Sequence, residues 1–249
     1  MLSIIWKTIL YQPIVNLLII YYRILFQNFG LAIIALTITL RLLLVPFTLP
    51  AIRTARKQRE IGPLLDEIKE KYPDDKKKQA EEQMNLFKEH GINPAAGCLP
   101  QIFQLVVLVA LYQAFIRVLG ADSQHLNELN NILYINSLKF SEAEQLNVNF
   151  LNLNLTIPNL LLPILAGVSQ FLLSKMMIPQ TKLGENLALK TEQKSDDVVY
   201  GMQHQMQLFM PLMTVIIGWR LPSGLTLYWL VSTLASLVQY KFLQRNSAQ

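Results

Sequence analysis

Residues 30–49 read Gly-Leu-Ala-Ile-Ile-Ala-Leu-Thr-Ile-Thr-Leu-Arg-Leu-Leu-Leu-Val-Pro-Phe-Thr-Leu, an apolar run broken by one charge, Arg41. A helix needs about 20 such residues to cross a bilayer. Arg41 stands about twelve residues into the run, roughly 16 Å deep at 1.5 Å per residue, near the midplane. A central arginine costs about 2.5–3.5 kcal/mol on insertion scales, and such residues pair with a carboxylate or face a wet cavity. No Asp or Glu occurs before Glu60, between Gly97 and Leu119, between Pro158 and Ile178, or after Asp197. The apolar segments therefore offer no ionic partner, and a hydrated, polar-lined cavity is the expected environment. The plainer alternative has Arg41 snorkelling to one surface or bonding helix-end carbonyls, which its depth makes expensive.

The rest of the chain fits that start. Of its 249 residues 52% are hydrophobic and 16% charged, against about 25% charged in a soluble domain. The formal charge is +5, and the basic residues gather beside apolar runs, as at a membrane surface. With the single cysteine Cys98 and the scattered His90, His125 and His204, no disulfide, metal site or cofactor is expected. Four more stretches are apolar enough to span: Leu99 to Leu119, Pro158 to Ile178, the short Met206 to Trp219, and Ser223 to Leu243. Arg220-Leu221-Pro222-Ser223-Gly224 turns the last two into a membrane hairpin. In Ile9 to Gln27 the polar residues Gln12, Asn16, Arg23 and Gln27 fall on one narrow arc, which predicts a helix lying in the interface; a sixth span is the rival reading.

Lys and Arg set the orientation. The loop from Ala51 to Ala96 carries ten of them, and that from Gly120 to Ile157 only Lys139. The first loop, the third loop and the tail are thereby assigned to the cytoplasm. The expected fold is all-α: a polytopic membrane protein with a five-helix transmembrane core, a cytoplasmic helical hairpin and an N-terminal interfacial helix. The expected division is an interfacial helix over 1–28 and spans over 29–50, 98–119, 158–178, 206–220 and 223–243. Between them lie the hairpin over 51–97, an extracytoplasmic loop over 120–157, a cytoplasmic loop over 179–205 and a tail over 244–249. In the hairpin, Ile61, Leu64, Leu65 and Ile68 face Ala80, Met84 and Phe87 across Tyr72-Pro73-Asp74-Asp75, and Gly91 and Pro94 stop the second helix. Its base, Arg53, Arg56, Lys57 and Arg59, is suited to anionic lipid or ribosomal RNA, or simply marks topology. A short helix is expected around His125 to Tyr134.

Other polar residues are spaced to share a cavity with Arg41. Thr37 lies one turn earlier; Gln101 and Gln104 share a face, as do Gln170 and Ser174; Trp229, Ser232, Thr233 and Ser236 form a stripe. Taken singly, each fits ordinary interhelical hydrogen bonding. A positive, wet cavity attracts small anions or the acidic polar end of a polypeptide crossing the bilayer, whose transfer cost it lowers. The chain has no G-x-S-x-G, H-E-x-x-H or Walker A motif, so no catalytic residues and no enzymatic activity are assigned.

Four segments carry a family resemblance: Gly30-Leu31-Ala32-Ile33-Ile34 through Arg41-Leu42-Leu43-Leu44-Val45-Pro46; Lys69-Glu70-Lys71-Tyr72; Asn93-Pro94-Ala95-Ala96-Gly97-Cys98-Leu99-Pro100-Gln101 on to Leu111-Tyr112; and Leu221 through Trp229. In this order and spacing the chain resembles the YidC family of membrane-protein insertases. The resemblance implies a groove open to cytoplasm and lipid and closed to the outside, with Arg41 as its arginine. Thr37, Trp229 and Gln170 match lining positions, and Gln104, Tyr228 and Ser232 join them as candidate groove residues. It implies nascent membrane proteins as substrates and the bilayer, the Sec translocon, the ribosome and signal-recognition targeting factors as partners. The implied location is a bacterial inner or plasma membrane, multi-pass, with a cytoplasmic C-terminus. A large periplasmic domain, a lipoprotein cysteine and a long basic tail are not expected. The competing functions are a small-anion transporter and an assembly scaffold.

Overall fold

A computed structural model describes residues 6–73, 75–93, 99–119, 123–141, 144, 146–177 and 198–246. The Pro94 to Cys98 motif and residues 179–197 of the third loop lie outside the described residues. The chain is helical almost throughout. A π-helical turn, Trp6–Tyr11, leads into α1, Gln12–Ile24. Then follow α2, Phe29–Glu60; α3, Gly62–Lys71; α4, Lys76–Glu89; α5, Leu99–Leu119; and α6, Ser123–Asn130. A two-stranded hairpin, β1 Asn149–Phe150 against β2 Leu153–Asn154, precedes α7, Leu161–Met177. The chain closes with α8, Val198–Gly218, and α9, Ser223–Asn246.

Asn28 starts α2 by accepting from the Leu31 N–H at 3.1 Å. The helix extends beyond the apolar run that ends at Leu49. It runs on to Glu60, with Pro46 and Pro50 inside it, and Gly62-Pro63 opens the next helix. Among the described residues α2 alone is long and apolar enough to cross a membrane; Ile102–Ile116, Leu161–Met177 and Leu208–Gly218 are shorter apolar stretches.

The core sits between α1, the first half of α2, α5 and the segment after α6. Val15, Leu18, Ile19, Phe29, Ile33 and Leu36 are buried there with Leu111, Phe115 and Leu129. Phe29 stacks edge-on against Phe115 at 5.4 Å and against Tyr22 at 5.8 Å. Gly224, at the start of α9, lies against Phe115 and Ile33 with no room for a Cβ. The free N–H groups of Ser223 and Gly224 donate to Ile157 and Leu155 carbonyls, each at 3.0 Å, so the segment between β2 and α7 caps α9.

Two residues of the polar arc, Asn16 and Arg23, make contacts within the protein, whereas Gln27 is exposed. Asn16 is buried: its amide donates to the Ile132 carbonyl at 2.9 Å and accepts from the Tyr134 N–H at 2.7 Å. Arg23 pairs with Glu144, donates to the Lys139 carbonyl at 3.1 Å and lies over the Phe140 ring. These residues meet a protein segment rather than water because the loop after α6 folds back onto the helix.

α7 packs on α8 and on α9, and α9 packs on α2. A Cβ on Gly167 would lie 2.5 Å from Val215 Cγ2 and 3.1 Å from the Pro211 carbonyl oxygen, so α7 and α8 touch backbone to backbone. Gly167→Leu is expected to cost about 1–3 kcal/mol through overpacking, with Gly167→Ala milder, read as a lowered thermal midpoint in detergent. Equal midpoints for all three proteins would refute that contact.

α3 and α4 form an antiparallel pair, joined more narrowly than the periodicity predicts. Ile61, Leu65, Phe87 and Ile92 make its buried cluster, whereas Leu64, Ala80 and Met84 face outward. Asp75 caps α4 on the Lys78 N–H at 3.0 Å. At the other end Gly91 turns with φ +61°, and the Ile92 N–H reaches back to the Phe87 carbonyl at 2.7 Å. This glycine-terminated loop buries Ile92 against Phe87, which closes the base of the pair.

Candidate functional site

Arg41 meets two other helices. Its Nε donates to Ser232 Oγ on α9 at 2.7 Å, and its Nη2 to Gln104 Oε1 on α5 at 2.8 Å. Ser232 Oγ donates to the same Gln104 oxygen at 2.8 Å, closing a ring of three hydrogen bonds. Tyr228, one turn before Ser232, is buried on the same face of α9. Because the Gln104 oxygen accepts from both Arg41 and Ser232, its amide orientation follows from its partners. The salt bridges Arg23–Glu144 and Arg56–Glu60 do not involve Arg41.

A small pocket, open on one side, adjoins this ring. Thr37, Leu40, Arg41, Leu44 and Thr48 supply its α2 wall because they recur every three or four residues on one helical face. Phe103, Gln104 and Val107 supply the α5 wall, and Tyr228 the α9 wall. Thr37 is fully buried and its hydroxyl donates to the Ile33 carbonyl at 2.6 Å, so its proton is committed to its own helix. Thr48 accepts from Gln239 Nε2 at 2.9 Å, tying α2 to α9.

The structure thus gathers Arg41, Thr37, Gln104, Ser232 and Tyr228 at one place. Gln170 and Trp229 are not among the residues that line this pocket. Thr233 lies 3.4 Å from Gln170 Oε1 and donates to the Trp229 carbonyl at 3.0 Å, on the face of α9 turned to α7. Consecutive helical residues point about 100° apart, so 228 and 232 share one face while 229 and 233 share the next. Ser236 donates to the Ser232 carbonyl at 3.1 Å and adds nothing to the cavity wall. The Gln101 side chain lies outside the described residues. Thr48 and Gln239 went unnamed from the sequence, although each sits seven residues beyond Arg41 and Ser232 respectively, on the same helical face.

The basic residues at the base of the α3–α4 pair divide as well. Arg56 pairs with Glu60 at 2.8 Å, and Arg59 donates to the Met176 carbonyl near the end of α7 at 3.2 Å. Arg53 and Lys57 are exposed. Arg59 is therefore a helix-end contact within the chain rather than a free basic group.

A helical membrane protein with a polar cavity built around a half-buried arginine is the class that this fold and site define. Residues 20–249 match the family model "60Kd inner membrane protein", and the chain belongs to that family. The chain is 31% identical over 241 residues to a membrane protein insertase YidC from Mannheimia succiniciproducens, and 30% identical over the same length to namesakes from Histophilus somni and Haemophilus influenzae. Each match covers 97% of this chain and 38% of the relative, so the chain spans about two fifths of the length of these relatives. A solved structure described as an active YidC insertase with its first transmembrane domain resolved shares the fold, with a TM-score of 0.58 at 22% identity, over 92% of this chain and 45% of that one.

Proposed function

We propose that this chain is a membrane protein insertase of a bacterial inner membrane. It takes hydrophilic segments of nascent membrane proteins into the Arg41 cavity and releases the adjoining hydrophobic segment sideways into lipid. The observation that carries this reading is Arg41 itself: a half-buried cation held by uncharged partners from α5 and α9 beside an open cavity. Such a site favours a transient anionic partner over a permanent one. The family and its insertase relatives support the same reading.

In this proposal α2, α5, α7, α8 and α9 span the bilayer, with the α3–α4 pair and the C-terminus in the cytoplasm. The segment after α6 lies outside, with α1 lying along that face. The sequence grounds for this arrangement are the basic residues of the first loop against the lone Lys139 of the second. The exposed α3–α4 pair is the surface offered to the ribosome, targeting factors or the Sec translocon. Arg53 and Lys57 at its base meet lipid headgroups.

Photocrosslinkers at Leu44 and Phe103, both on the cavity wall, are expected to capture the hydrophilic tail of a single-spanning substrate during insertion into proteoliposomes. One at Val238, exposed on α9, is expected to capture lipid. Lipid adducts alone at all three positions would overturn the proposal, and chloride flux abolished by Arg41→Ala would replace it with anion transport.

A further inference from the structure

Among the described residues, four other than glycine have a positive φ: Phe26 at +56°, Gln27 at +51°, Leu151 at +47° and Asn152 at +62°. They form two pairs, one in the turn between α1 and α2 and one at the tip of the β1–β2 hairpin. In each pair a large apolar residue precedes an amide. Left-handed backbone of this kind favours Gly or Asn, and a bulky residue there is an outlier. A two-residue hairpin turn with both φ positive usually reads Asn-Gly or Asp-Gly. Phe26 and Leu151 gain little packing in return. At 89% and 79% exposed, they are the two most exposed large apolar side chains among the described residues.

The two turns lie at one level. The Phe29 N–H donates to the Asn147 carbonyl at 3.3 Å, and Gly30 leaves no room for a Cβ against the Phe150 ring, so the hairpin sits beside the start of α2. Phe29 stands twelve residues before Arg41, about 18 Å along the helix against about 15 Å for half a hydrocarbon core. No charged residue occurs from Ile24 to Leu40 or from Gln145 to Ser174. Arg23 and Glu144, which flank those two runs, pair with each other. Ile24 and Ile157, both exposed, extend the apolar surface along the same two segments.

We infer that the α1–α2 turn and the hairpin tip are a pair of membrane anchors, with Phe26 and Leu151 seated at the glycerol–acyl boundary of the outer leaflet. Water would favour glycine or asparagine at both positions, whereas hydrocarbon offsets the strain by taking up the exposed side chain. The patch offers no charge for a polar protein surface to pair, and it is continuous with the apolar start of α2. Gln27 and Asn152, both exposed, supply hydrogen-bonding groups for the headgroup zone. The anchors add a contact from the β-hairpin to the one that α1 makes along that face. The inference rests on the proposed topology, with the start of α2 outside, and on nothing about substrates.

The test places a diazirine analogue of phenylalanine at position 26, and of leucine at 151, of the full chain in vesicles of phosphatidylethanolamine and phosphatidylglycerol. Mass analysis after illumination separates lipid adducts, water-quenched product and protein crosslinks. The leucine analogue at Asn85, exposed on α4, is the aqueous reference, and at Val238 the lipid reference. Lipid adducts at 26 and 151 are expected to approach the Val238 yield and to exceed the Asn85 yield about tenfold, because an interfacial side chain loses most of its water. Water-quenched product at the Asn85 level would overturn the inference, as would crosslinks to a second copy in place of lipid. A lipid yield at one tip alone would overturn the pairing. In spheroplasts an impermeant amine reagent is expected to modify Lys139, exposed beyond α6, and to spare Lys77 of α4. The reverse would refute the outer-leaflet placement together with the topology. Neither measurement inserts a substrate, so both stand apart from the insertase reading.

Discussion

Arg41→Glu lowers insertion of a substrate with an acidic translocated tail by roughly 10- to 100-fold, the range that a lost hydrogen bond to a charged group of about 1.5–3 kcal/mol sets. The change does more than remove a donor. It sets an acceptor-only group opposite the Gln104 oxygen, which then keeps Ser232 as its only partner from the ring. It also confronts a substrate carboxylate with a like charge in a site of low dielectric, where such repulsion is poorly screened. The sign of the preference should therefore reverse: a tail carrying Lys in place of Glu should insert better in the variant than in the native chain. Arg41→Lys, which keeps the charge and loses the planar guanidinium, should fall between. Insertion assays with paired acidic and basic tails read all three proteins together. Native behaviour of Arg41→Glu toward both tails would show that the cavity does not receive the substrate's charge.

The second large effect concerns stability. Asn16→Leu keeps the approximate size of the side chain and improves helix propensity, so a purely local argument predicts a gain. The expected result is the opposite. The native amide satisfies the Ile132 carbonyl and the Tyr134 N–H across 116 and 118 positions of chain. Leucine leaves both without that partner, at about 1–3 kcal/mol each where water cannot substitute. The apparent thermal midpoint in detergent should fall by about 5–15 °C, scaling at roughly 2–4 °C per kcal/mol for a chain of this size. Asn16→Asp keeps an acceptor for Tyr134 and should lose less. A midpoint within about a degree of native in Asn16→Leu would mean that other contacts hold the loop.

Asn16 also marks where sequence reading stops. Its spacing with Gln12, Arg23 and Gln27 is real, but periodicity reports only that a face is polar. Whether water or another segment meets that face depends on the loop after α6, and nothing in the residues around Asn16 encodes that partner. Arg41 was easier, because a charge deep in an apolar run constrains its surroundings through energy alone. Gln104 and Ser232 were legible as polar positions at helical spacing, as was Thr37. Trp229 shares the polar stripe of α9 with Ser232, and Gln170 has its own polar spacing on α7, but neither lines this pocket. The helix α9 presents two faces: Ser232 toward Arg41 and Thr233 toward Gln170. Separating adjacent residues in this way needs the rotation of α9 about its axis, which tertiary packing sets. In α3 and α4 the residues actually buried, Leu65 and Phe87 with Ile61 and Ile92, are fewer than the apolar periodicity offers.

The two prolines of α2 carry a mechanical consequence. Pro46 and Pro50 have no N–H, so the carbonyls of Leu42 and Pro46 lack their usual donors one turn on. The helix is thus weakest to bending just beyond Arg41, between a segment packed in the core and one that leads to the α3–α4 pair. Force applied to that pair reaches the cavity through a compliant joint rather than a stiff rod. Thr48 sits within the joint and is tied to Gln239 on α9. A pull on the outer pair therefore flexes the wall at Thr48 before it disturbs the arginine, leaving the charge in register while the path beneath it changes width.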